Sequence, residues 1–586
     1  MKKRWIVNAP DIELQGLLGR ELRISPLTAQ LLINRGLRCS SEAFSFLSPS
    51  LKDLHDPFTM KDMDKAAQRI VKAIKEQEKI TVYGDYDVDG VAATALLCLF
   101  LKEISLGISD SIRFDYYIPE RMKEGYGLNN NALKHLSGSG TKLVITTDCG
   151  IANYDEINFA RGIGLDVIVT DHHEPPDPSS GRASRLPPAY AILNPKQTNC
   201  PFPFKELAGV GVVFNLIIAL RAKLLGCGMW DAGGAKPNLK KYTDIVALGT
   251  IADMVPLQGE NRILVKYGLD ELTFSKRPGI KALKEVSGLG TDLKSVPIKT
   301  GSVGFQLAPR INAAGRLTKA SMGVKLLITE DDKEAMDIAR ELDRENIDRQ
   351  RLEKDILSEA METVETEDFE IDKKRAIVLA KEGWHPGVIG IVASRLIDRY
   401  RRPTAVIALK DGVGKGSARG IKRFHILDGL QQCETFLERY GGHKMAAGFT
   451  IKEDKIREFE AAFYALTEKA LTVEDLIPEI SLDSYVALNE LNEQIVREME
   501  SLAPFGLANP EPLLGATDTH IIQSEVVGNN HLRLKIRNGS RVWDGIAYGK
   551  GDIHPLNGNG FDIAFIPYID EWNGNKNLKL KVKEIR

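Results

Sequence analysis

Apolar stretches alternate along this chain with segments of helical periodicity. Short runs of mainly apolar residues lie at 80–82, 143–145 and 167–169, and segments with helix-like apolar spacing separate them. Runs of this length between helices are typical of buried parallel strands. The pattern therefore predicts an α/β domain built on a parallel sheet.

Changes in this pattern divide the chain into five predicted parts. Residues 1–60 form a helical lead-in, 61–330 the first α/β domain, and 331–365 a long, charged connector helix with a thin apolar stripe. Residues 366–454 begin a second α/β domain, and 455–586 contain a helix followed by β-like segments. In one of these, Arg533, Lys535 and Arg537 alternate with apolar residues. With Trp543 and Tyr548 nearby, this strand fits a barrel that binds single strands, but an ordinary half-exposed strand explains the alternation equally well.

Acidic residues and histidines follow the predicted strands. Ligands gather outside the carboxyl ends of parallel strands, so these side chains should converge at one edge of the sheet. A fourth apolar run lies at 244–252. We expect the chain there to form a helix and then a strand that leads to the acidic residue after the run. The candidates are Asp85, Asp87 and Asp89 after the first strand, Asp148 after the second, Asp171, His172 and His173 after the third, and Asp253 after the fourth run.

Several carboxylates at one edge repel one another unless a cation lies between them. Oxygen-rich ligation with a single imidazole favours Mn²⁺ or Mg²⁺ over Zn²⁺. The spacing of the first three acids also opens an EF-hand loop, but Leu96 stands where that loop needs a glutamate. A solvated acidic turn and a structural histidine are the remaining alternatives for these motifs taken singly.

Composition limits the classes of protein that need be considered. The 586 residues are 43% hydrophobic and 27% charged, which is ordinary for globular domains. No continuous apolar run approaches a membrane span, and the N-terminus lacks the apolar core of a signal peptide. Six scattered cysteines without a CxxC pair suggest reduced thiols and a cytoplasmic location. Because the net charge is −2, binding to nucleic acid would require local basic patches.

Other polar groups could contact phosphates. Arg121 lies in an irregular loop near the acidic edge and could bind a phosphate, or it could be an ordinary solvated arginine. The cluster near 310–316 could bind phosphates in the same way, or it could form a buried ion pair. The segment near 412–420 lacks the spacing of a P-loop. The candidates are Arg121, Arg310, Asn312, Arg316, Ser417, Arg419, Gly442 and His443.

The ordered motifs DYDVDG, TTDCG, TDHH and GTIADMVPL resemble those of the DHH phosphoesterase superfamily. The likeness is closer to the RecJ family of bacterial single-strand-specific DNA exonucleases and runs from about Leu47 to the C-terminus. It includes YIPERMKEGYGL, GFQLAPRINAAGRL, EGWHPGVIGIVASRL, GGHKMAAGFT and LAPFGLANPEP. Two positions depart from the family pattern: Gly420 replaces a serine, and Ala508 replaces a glycine.

The resemblance implies a DHH domain, a DHHA1 domain and a C-terminal OB-like domain that binds nucleic acid. It implies 5′→3′ removal of mononucleotides from single-stranded DNA during recombination and repair, with two Mn²⁺ or Mg²⁺ ions. The expected ligands are Asp87, Asp89, Asp148, His172 and Asp253. His173 would meet the scissile phosphate, and Asp85 and Asp171 are either ligands or residues that orient the ligands.

The resemblance also implies a monomer whose partners are a single-strand binding protein and a RecQ-type helicase. Two other functions stay open at this point. One is a DHH-type oligoribonuclease or small-nucleotide phosphatase, although such chains are usually shorter and lack the barrel. The other is a non-catalytic DHH scaffold, in which loss of the ligands would be expected first.

Overall fold

Two compact units make up the described part of the protein. The structure is a computed structural model that describes residues 3–107, 112–176, 185–230, 236–290, 297–317, 319–572 and 575–586. One unit contains Arg344–Ser481 with the N-terminal residues up to Ile6, and the other contains Val7–Asp343 with Leu482–Arg586. The N-terminal helices and the C-terminal barrel therefore belong to the same unit as the first sheet.

The helices and strands begin and end as follows. From the N-terminus to the connector they are β1 (Arg4–Val7), α1 (Ile12–Leu22), α2 (Pro26–Asn34), α3 (Ser40–Leu47), α4 (Met63–Lys75), β2 (Lys79–Gly84), α5 (Val88–Gly107), β3 (Phe114–Tyr117), α6 (Arg121–Glu124), α7 (Asn130–Gly138), β4 (Thr141–Thr147), α8 (Tyr154–Gly162), β5 (Asp166–Thr170), β6 (Ala191–Leu193), α9 (Gly209–Gly226), α10 (Thr243–Ala252), α11 (Gly259–Thr273), α12 (Pro278–Val286), α13 (Thr300–Ser302), a π-helical segment (Val303–Leu307), α14 (Ala308–Leu317), α15 (Ser321–Ile328) and α16 (Asp332–Val364). From there to the C-terminus they are β7 (Ile377–Glu382), α17 (Ile389–Tyr400), β8 (Thr404–Lys410), β9 (Val413–Arg419), α18 (Ile426–Gln432), β10 (Leu437–Gly442), β11 (Ala446–Lys452), α19 (Ile456–Ala470), β12 (Glu479–Leu482), β13 (Ser484–Tyr485), α20 (Glu493–Ser501), β14 (Leu514–Val527), β15 (His531–Asn538), β16 (Arg541–Ala547), β17 (Gly558–Trp572) and β18 (Asn575–Ile585).

The first sheet is parallel, as predicted. Its strand order is β3-β2-β4-β5-β6, and every neighbouring pair runs in the same direction. The three apolar runs identified in the sequence form β2, β4 and β5, and their residues are buried. The carboxyl ends of the three central strands therefore lie side by side, and the acidic turns follow them at the same edge of the sheet.

Helices α5 and α9 pack in the core of this unit beside the sheet. Both are long and apolar enough to cross a membrane by length and composition, but 67% of the apolar window of each is buried inside the protein. Neither helix was recognised from the sequence as reaching this length, because polar residues interrupt the apolar runs in both. A helix that is apolar on all sides can equally be buried in the core of a large domain.

The fourth apolar run forms a helix and not a strand. α10 ends at Ala252, and Asp253 is its C-cap residue. A short apolar run that is buried on all sides has the same composition in either conformation, so periodicity could not distinguish them. Asp253 consequently approaches the edge of the sheet from a helix end.

The connector is a single helix, α16, of 33 residues. The second unit that it leads to has a sheet of strand order β10-β11-β9-β8-β7, in which β7 and β8 are parallel and the other pairs antiparallel. α19 packs in the core of this unit, with Phe459 5.2 Å from Phe449 between ring centroids. The helix assigned from the sequence to the C-terminal domain, with a boundary at 455, therefore belongs to the second unit.

The C-terminal strands form a closed barrel. Their order is β13-β14-β15-β16-β18-β17, and a further pairing of β14 with β17 closes the sheet. β15 buries Leu532, Leu534 and Ile536, as the alternation predicted. Trp543 is only 1% exposed and so cannot stack on a base, whereas Tyr548 is exposed. The basic side chains of β15 contact neighbouring groups, such as Asp544 beside Lys535.

The two departures from the family pattern have local explanations. A Cβ atom at Gly420 would lie 2.8 Å from the carbonyl oxygen of Phe424 and 2.9 Å from that of Lys444. Ala508 has a φ of 59°, in the left-handed region that favours glycine. Glycine thus fits its close surroundings at position 420, while alanine at position 508 occupies a backbone conformation better suited to the glycine that the pattern contains.

A buried arginine joins three segments of the larger unit. Arg262 of α11 donates to the carbonyl oxygens of Phe46 at 3.0 Å, Leu502 at 2.8 Å and Ser501 at 3.4 Å. Its guanidinium carbon is 3.7 Å from the centroid of the Phe46 ring. Burial and then the charge of Arg35 lower the pKa of Arg262 to about 9. These bonds fix the lead-in helices and the segment before the barrel to the first domain.

We expect Arg262→Met to lower the free energy of unfolding by about 3 kcal/mol or more, because several buried carbonyls would lose their donor. The shift of the urea midpoint, followed by far-ultraviolet circular dichroism, measures this. Arg497→Met is the control, since Arg497 pairs with Glu493 on the exposed surface of α20. Equal midpoints for the two variants would show that Arg262 does not join the segments.

Candidate metal centre

The first acidic turn is held by backbone hydrogen bonds. Asp87 caps α5, because its Oδ1 accepts from the N–H groups of Asp89 at 2.9 Å and Gly90 at 3.1 Å. Asp89, the second residue of α5, accepts from the N–H groups of Gly209 at 2.6 Å and Val210 at 3.0 Å. The N-terminus of α9 therefore stabilises the Asp89 carboxylate.

Asp148 follows β4 in a strained conformation. Its φ is +64°, in the left-handed region that non-glycine residues seldom adopt, and its side chain is buried. A Cβ atom at Gly209 would lie 2.7 Å from Asp148 Oδ1, so the glycine permits α9 to approach. The close approach of the α9 backbone at Gly209 is therefore to an acidic side chain.

Three carboxylates surround one nitrogen of His172. Nε2 is 3.1 Å from Asp148 Oδ1, 3.4 Å from Asp253 Oδ2 and 4.0 Å from Asp89 Oδ2. Burial and then the neighbouring charge of His173 lower the pKa of His172 to about 3. The imidazole is therefore neutral near pH 7, which is the form that binds metals.

The acidic cluster cannot carry its full charge unaided. Burial, and then the charges of neighbouring aspartates, raise the pKa of Asp89 to about 7 and that of Asp253 to about 9. The pKa values of Asp85 and Asp148 are raised well above their usual range for the same two reasons. Burial in low dielectric makes each charge costly, and the charges also repel one another.

Buried atoms without hydrogen-bond partners indicate the kind of group that this cluster can bind. Within the described residues, four such atoms belong to this cluster: Asp85 Oδ1, Asp148 Oδ1, His172 Nε2 and Asp253 Oδ2. Overlapping sets of these side chains, with Asp87, Asp89 and His173, bring one potential ligand atom each to within 4.8 Å of one another. Carboxylate oxygens with one imidazole fit Mn²⁺ or Mg²⁺.

Asp171 is fully used by the protein itself. Its Oδ2 accepts from the N–H of Ile151 at 2.9 Å, and its Oδ1 accepts from the N–H of His172 at 2.7 Å and from Nδ1 of His173 at 2.8 Å. Burial alone would lower the pKa of His173, but the hydrogen bond and the charge of Asp171 raise it to about 9. Of the two roles left open for Asp171, these bonds fit orientation of the histidines.

The other predicted residues of this unit lie around the first acidic turn. The Arg121 guanidinium is 5.0 Å from the centroid of the Tyr86 ring. Asn312 Oδ1 accepts from the N–H of Val88 at 3.2 Å, so α14 holds the start of α5. Arg316 follows one turn later on α14. Arg310 instead donates to Asp343 at 2.8 Å and to the carbonyl of Val286 at 3.3 Å, which fits the structural ion pair.

The second unit brings its own predicted residues together. Arg419 Nη1 donates to Ser417 Oγ at 2.9 Å. A Cβ atom at Gly390, at the start of α17, would lie within 2.9 Å of both side chains. Gly442 has a φ of +149°, and the N–H of His443 donates to the carbonyl of Ala446, the residue paired with Arg419. These groups thus share one end of the sheet near a helix N-terminus, where an anion is favoured.

Two side chains near the histidines were missed from the sequence. Tyr126 Oη is 3.3 Å from Nδ1 of His173. Lys196 pairs with Glu174, the residue after His173, at 2.9 Å. Tyr126 lies within the family motif YIPERMKEGYGL, which could have identified it, whereas Lys196 lies in none of the motifs quoted above.

Comparison with known proteins decides the family. Residues 79–250 match the DHH family, N-terminal domain; residues 373–469 match the DHHA1 domain; and residues 482–584 match the RecJ OB domain. The chain is 40% identical over its whole length to the single-stranded-DNA-specific exonuclease RecJ of Bacillus subtilis, of which it covers 71%. It is 36% identical to RecJ of Escherichia coli, with both chains covered completely. The chain belongs to the RecJ family.

Solved RecJ structures have the same fold. The crystal structure of RecJ from Thermus thermophilus in complex with Mn²⁺ matches this chain with a TM-score of 0.82 and 31% identity. The match covers all of this chain and 79% of the Thermus thermophilus chain. A structure of the same RecJ with Mg²⁺ has a TM-score of 0.76. Both cations were expected from the donor set, and the family assignment from the motifs is confirmed.

We expect Asp148→Asn to abolish stabilisation by Mn²⁺. In the unsubstituted protein, Mn²⁺ at a hundred times its dissociation constant should stabilise the fold by about 2.7 kcal/mol, seen as a rise in melting temperature. The variant should melt no lower than the metal-free protein, because it removes a carboxyl that burial and repulsion destabilise. Asp155→Asn, at an exposed position in α8, should keep the full Mn²⁺ response. A retained response in Asp148→Asn would contradict the site.

The pH dependence of metal binding follows from the raised pKa values. Asp253 titrates at 3.8 when unfolded and at about 9 in the metal-free fold, so the fold loses stability as pH rises between these values. A cation binds the ionised form and offsets this loss. The rise in melting temperature caused by Mg²⁺ should therefore grow from about pH 6 to about pH 8.5. Asp253→Asn should flatten that dependence; a response constant with pH would contradict the assignment.

Proposed function

We propose that this chain is a single-stranded-DNA-specific exonuclease that removes mononucleotides in the 5′→3′ direction. The observation that carries the proposal is the buried cluster of unpartnered oxygen and nitrogen atoms, in a chain related to RecJ over its full length. Such a cluster has no structural use without cations, and it lies at the sheet edge where ligands bind.

We assign Asp87, Asp89, Asp148, His172 and Asp253 as metal ligands. Asp148 is the best candidate to bridge two ions, because its carboxylate belongs both to the group with Asp85 and Asp87 and to the group with His172. Asp85 also offers a buried, unpartnered oxygen, which favours ligation over an orienting role. When bound, two divalent cations supply an activated water and neutralise charge on the scissile phosphodiester.

His173 is assigned as the proton donor to the leaving oxygen. Its Nδ1–H donates to Asp171, so Nε2 carries the proton available for transfer. With its pKa raised to about 9, the ring is an imidazolium near pH 7 and also stabilises negative charge on the phosphate. Asp171 holds the ring in place and maintains its charge.

Contacts with substrate phosphates are assigned to the remaining polar residues. Arg121 lies beside the first acidic turn, and Arg316 lies on the helix that holds α5. In the second unit, Ser417, Arg419, Gly442 and His443 surround a helix N-terminus suited to a terminal phosphate. In the same set, Asn312 also supports the backbone of α5, and Arg310 also donates to Asp343 and to backbone carbonyls.

The cellular role follows from the proposed activity. A 5′→3′ exonuclease of single strands serves recombination, mismatch repair and excision repair in the cytoplasm. A single-strand binding protein and a RecQ-type helicase would present its substrate, and the chain would act as a monomer. These assignments depend on the family and not on any contact within the chain.

We expect end-labelled oligonucleotides to report the activity directly. With Mn²⁺, a 5′ label should be released as mononucleotide from the start, while a 3′ label should stay on a shortening ladder. His173→Ala should lower kcat by about 10²- to 10⁴-fold, because the general acid is lost. A high-resolution gel time course with and without a chelator makes both measurements.

The matched control is Asp171→Asn, which keeps the imidazole of His173 but removes the charge that raises its pKa. Its activity should fall with increasing pH at a lower pH than that of the unsubstituted protein. Faster turnover of a dinucleotide than of a long oligomer would favour the small-nucleotide phosphatase. No chelator-sensitive release from either substrate would favour the scaffold.

A further inference from the structure

Three apolar side chains are exposed to solvent near the metal centre. Phe305 is 85% exposed, Met254 is 70% exposed and Leu507 is 53% exposed. Single exposed apolar residues are ordinary on protein surfaces, but a phenylalanine with nearly all its surface in water is costly. Their shared location therefore matters more than their number.

Contacts between the segments that carry these residues bring the three segments together. α10, which ends just before Met254, packs against the π-helical segment Val303–Leu307 that contains Phe305. The N–H of Leu257, three residues after Met254, donates to the carbonyl of Leu507 at 2.8 Å. Thr300 Oγ1 donates to the carbonyl of Phe505 at 2.7 Å, so the segment before Phe305 also contacts the segment that contains Leu507. We call Met254, Phe305 and Leu507 the apolar shelf.

The backbone of the apolar shelf departs from regular geometry at two places. Met254 has a φ of +59°, a left-handed conformation that is unfavourable for a residue with a side chain. Phe305 lies within a π-helical segment between two stretches of α-helix, and such segments are frequent at functional sites. Both departures accompany apolar side chains that turn towards solvent, so folding alone does not explain them.

The apolar shelf adjoins the metal centre along two chain segments. Met254 directly follows Asp253, whose Oδ2 is 3.4 Å from His172 Nε2. Phe305 lies seven residues before Asn312, which bonds the first residue of α5 and so stands beside the Asp87–Asp89 turn. Seven helical residues span about 10 Å, a distance covered by a few nucleotides.

We propose that the apolar shelf is a nucleobase-stacking subsite, in which a base of the single strand lies on the ring of Phe305 and against Met254. This inference rests on the proposed exonuclease function and names a part of its substrate site. Unpaired bases present free π-faces, whereas the bases of a duplex are stacked on one another. An aromatic ring beside the metals would therefore favour single strands without selecting a sequence.

Phe305→Ala tests the subsite. One lost stacking contact should raise KM and Kd for an oligothymidylate by about 5- to 150-fold, with kcat little changed. Hydrolysis of bis(4-nitrophenyl) phosphate, which is too small to reach from the metals to the shelf, should be unaffected. Phe305→Leu should also weaken binding, because it keeps an apolar side chain without a π-face.

Phe305→Trp provides a spectroscopic signature. The indole should retain stacking, and its added fluorescence should be quenched when the oligothymidylate binds in the presence of Ca²⁺ in place of the catalytic cation. The matched control is Phe274→Ala, since Phe274 is 61% exposed and lies beside Leu106 near the far end of α5, about 25 Å along that helix from Asp89. This control should leave both substrates unaffected.

The possible results separate the inference from the proposed function. Unchanged oligonucleotide KM and Kd in Phe305→Ala, with active unsubstituted protein, would overturn the subsite and leave the exonuclease intact. Equal losses on the oligonucleotide and the small ester would also overturn it, since the residue would then act through the metal centre. Absence of exonuclease activity in the unsubstituted protein would overturn both.

Discussion

Mutual repulsion among buried carboxylates is the constraint on which this structure depends. Asp85, Asp89, Asp148 and Asp253 converge where water cannot screen them, and the pKa of each is raised because ionisation there is unfavourable. Divalent cations remove this penalty and satisfy the unpartnered atoms at the same time. The site is therefore unfavourable in isolation and favourable only as part of a metal complex.

The surrounding backbone is shaped to keep these carboxylates close. Added Cβ atoms at Gly90, Gly209 and Gly249 would lie 2.7 Å from atoms of Asp85, Asp148 and Asp89, respectively. Each glycine lets a helix approach a side chain of the cluster. The N-terminus of α9 then compensates part of the Asp89 charge, and Asp171 compensates that of His173. Preorganisation thus comes from close helix approach as much as from the sheet.

Features of the fold and of the metal centre could be predicted from the sequence where they depend on residues close together in the chain. The periodicity of the strands is a local pattern of a few residues, and the rule for carboxyl ends applies within a single parallel sheet. Together they correctly predicted that Asp85, Asp148 and His172 lie close to one another. Asp253 was expected after a strand and follows a helix, since a short apolar run carries no period. The burial of Trp543 and the partner of Arg310 could not be predicted, because both come from segments distant in sequence.

The shared core of the lead-in helices and the barrel also lay beyond sequence reasoning. Leu18 and Leu31 near the N-terminus pack in one cluster with Leu514 and Trp543 near the C-terminus. No local pattern records a partner some 500 residues away. Amphipathic helices reveal which face is buried, but only tertiary structure reveals what covers it.

The acidic cluster also determines how a chain of net charge −2 could bind a polyanion. At physiological ionic strength, charges more than about 8 Å away are largely screened, so the local field at the metal centre decides. Without cations that field is set by aspartates and repels phosphate. With two divalent cations and the imidazolium of His173 it attracts phosphate. Cation and DNA binding at this site are therefore coupled, and each must strengthen the other by the same factor.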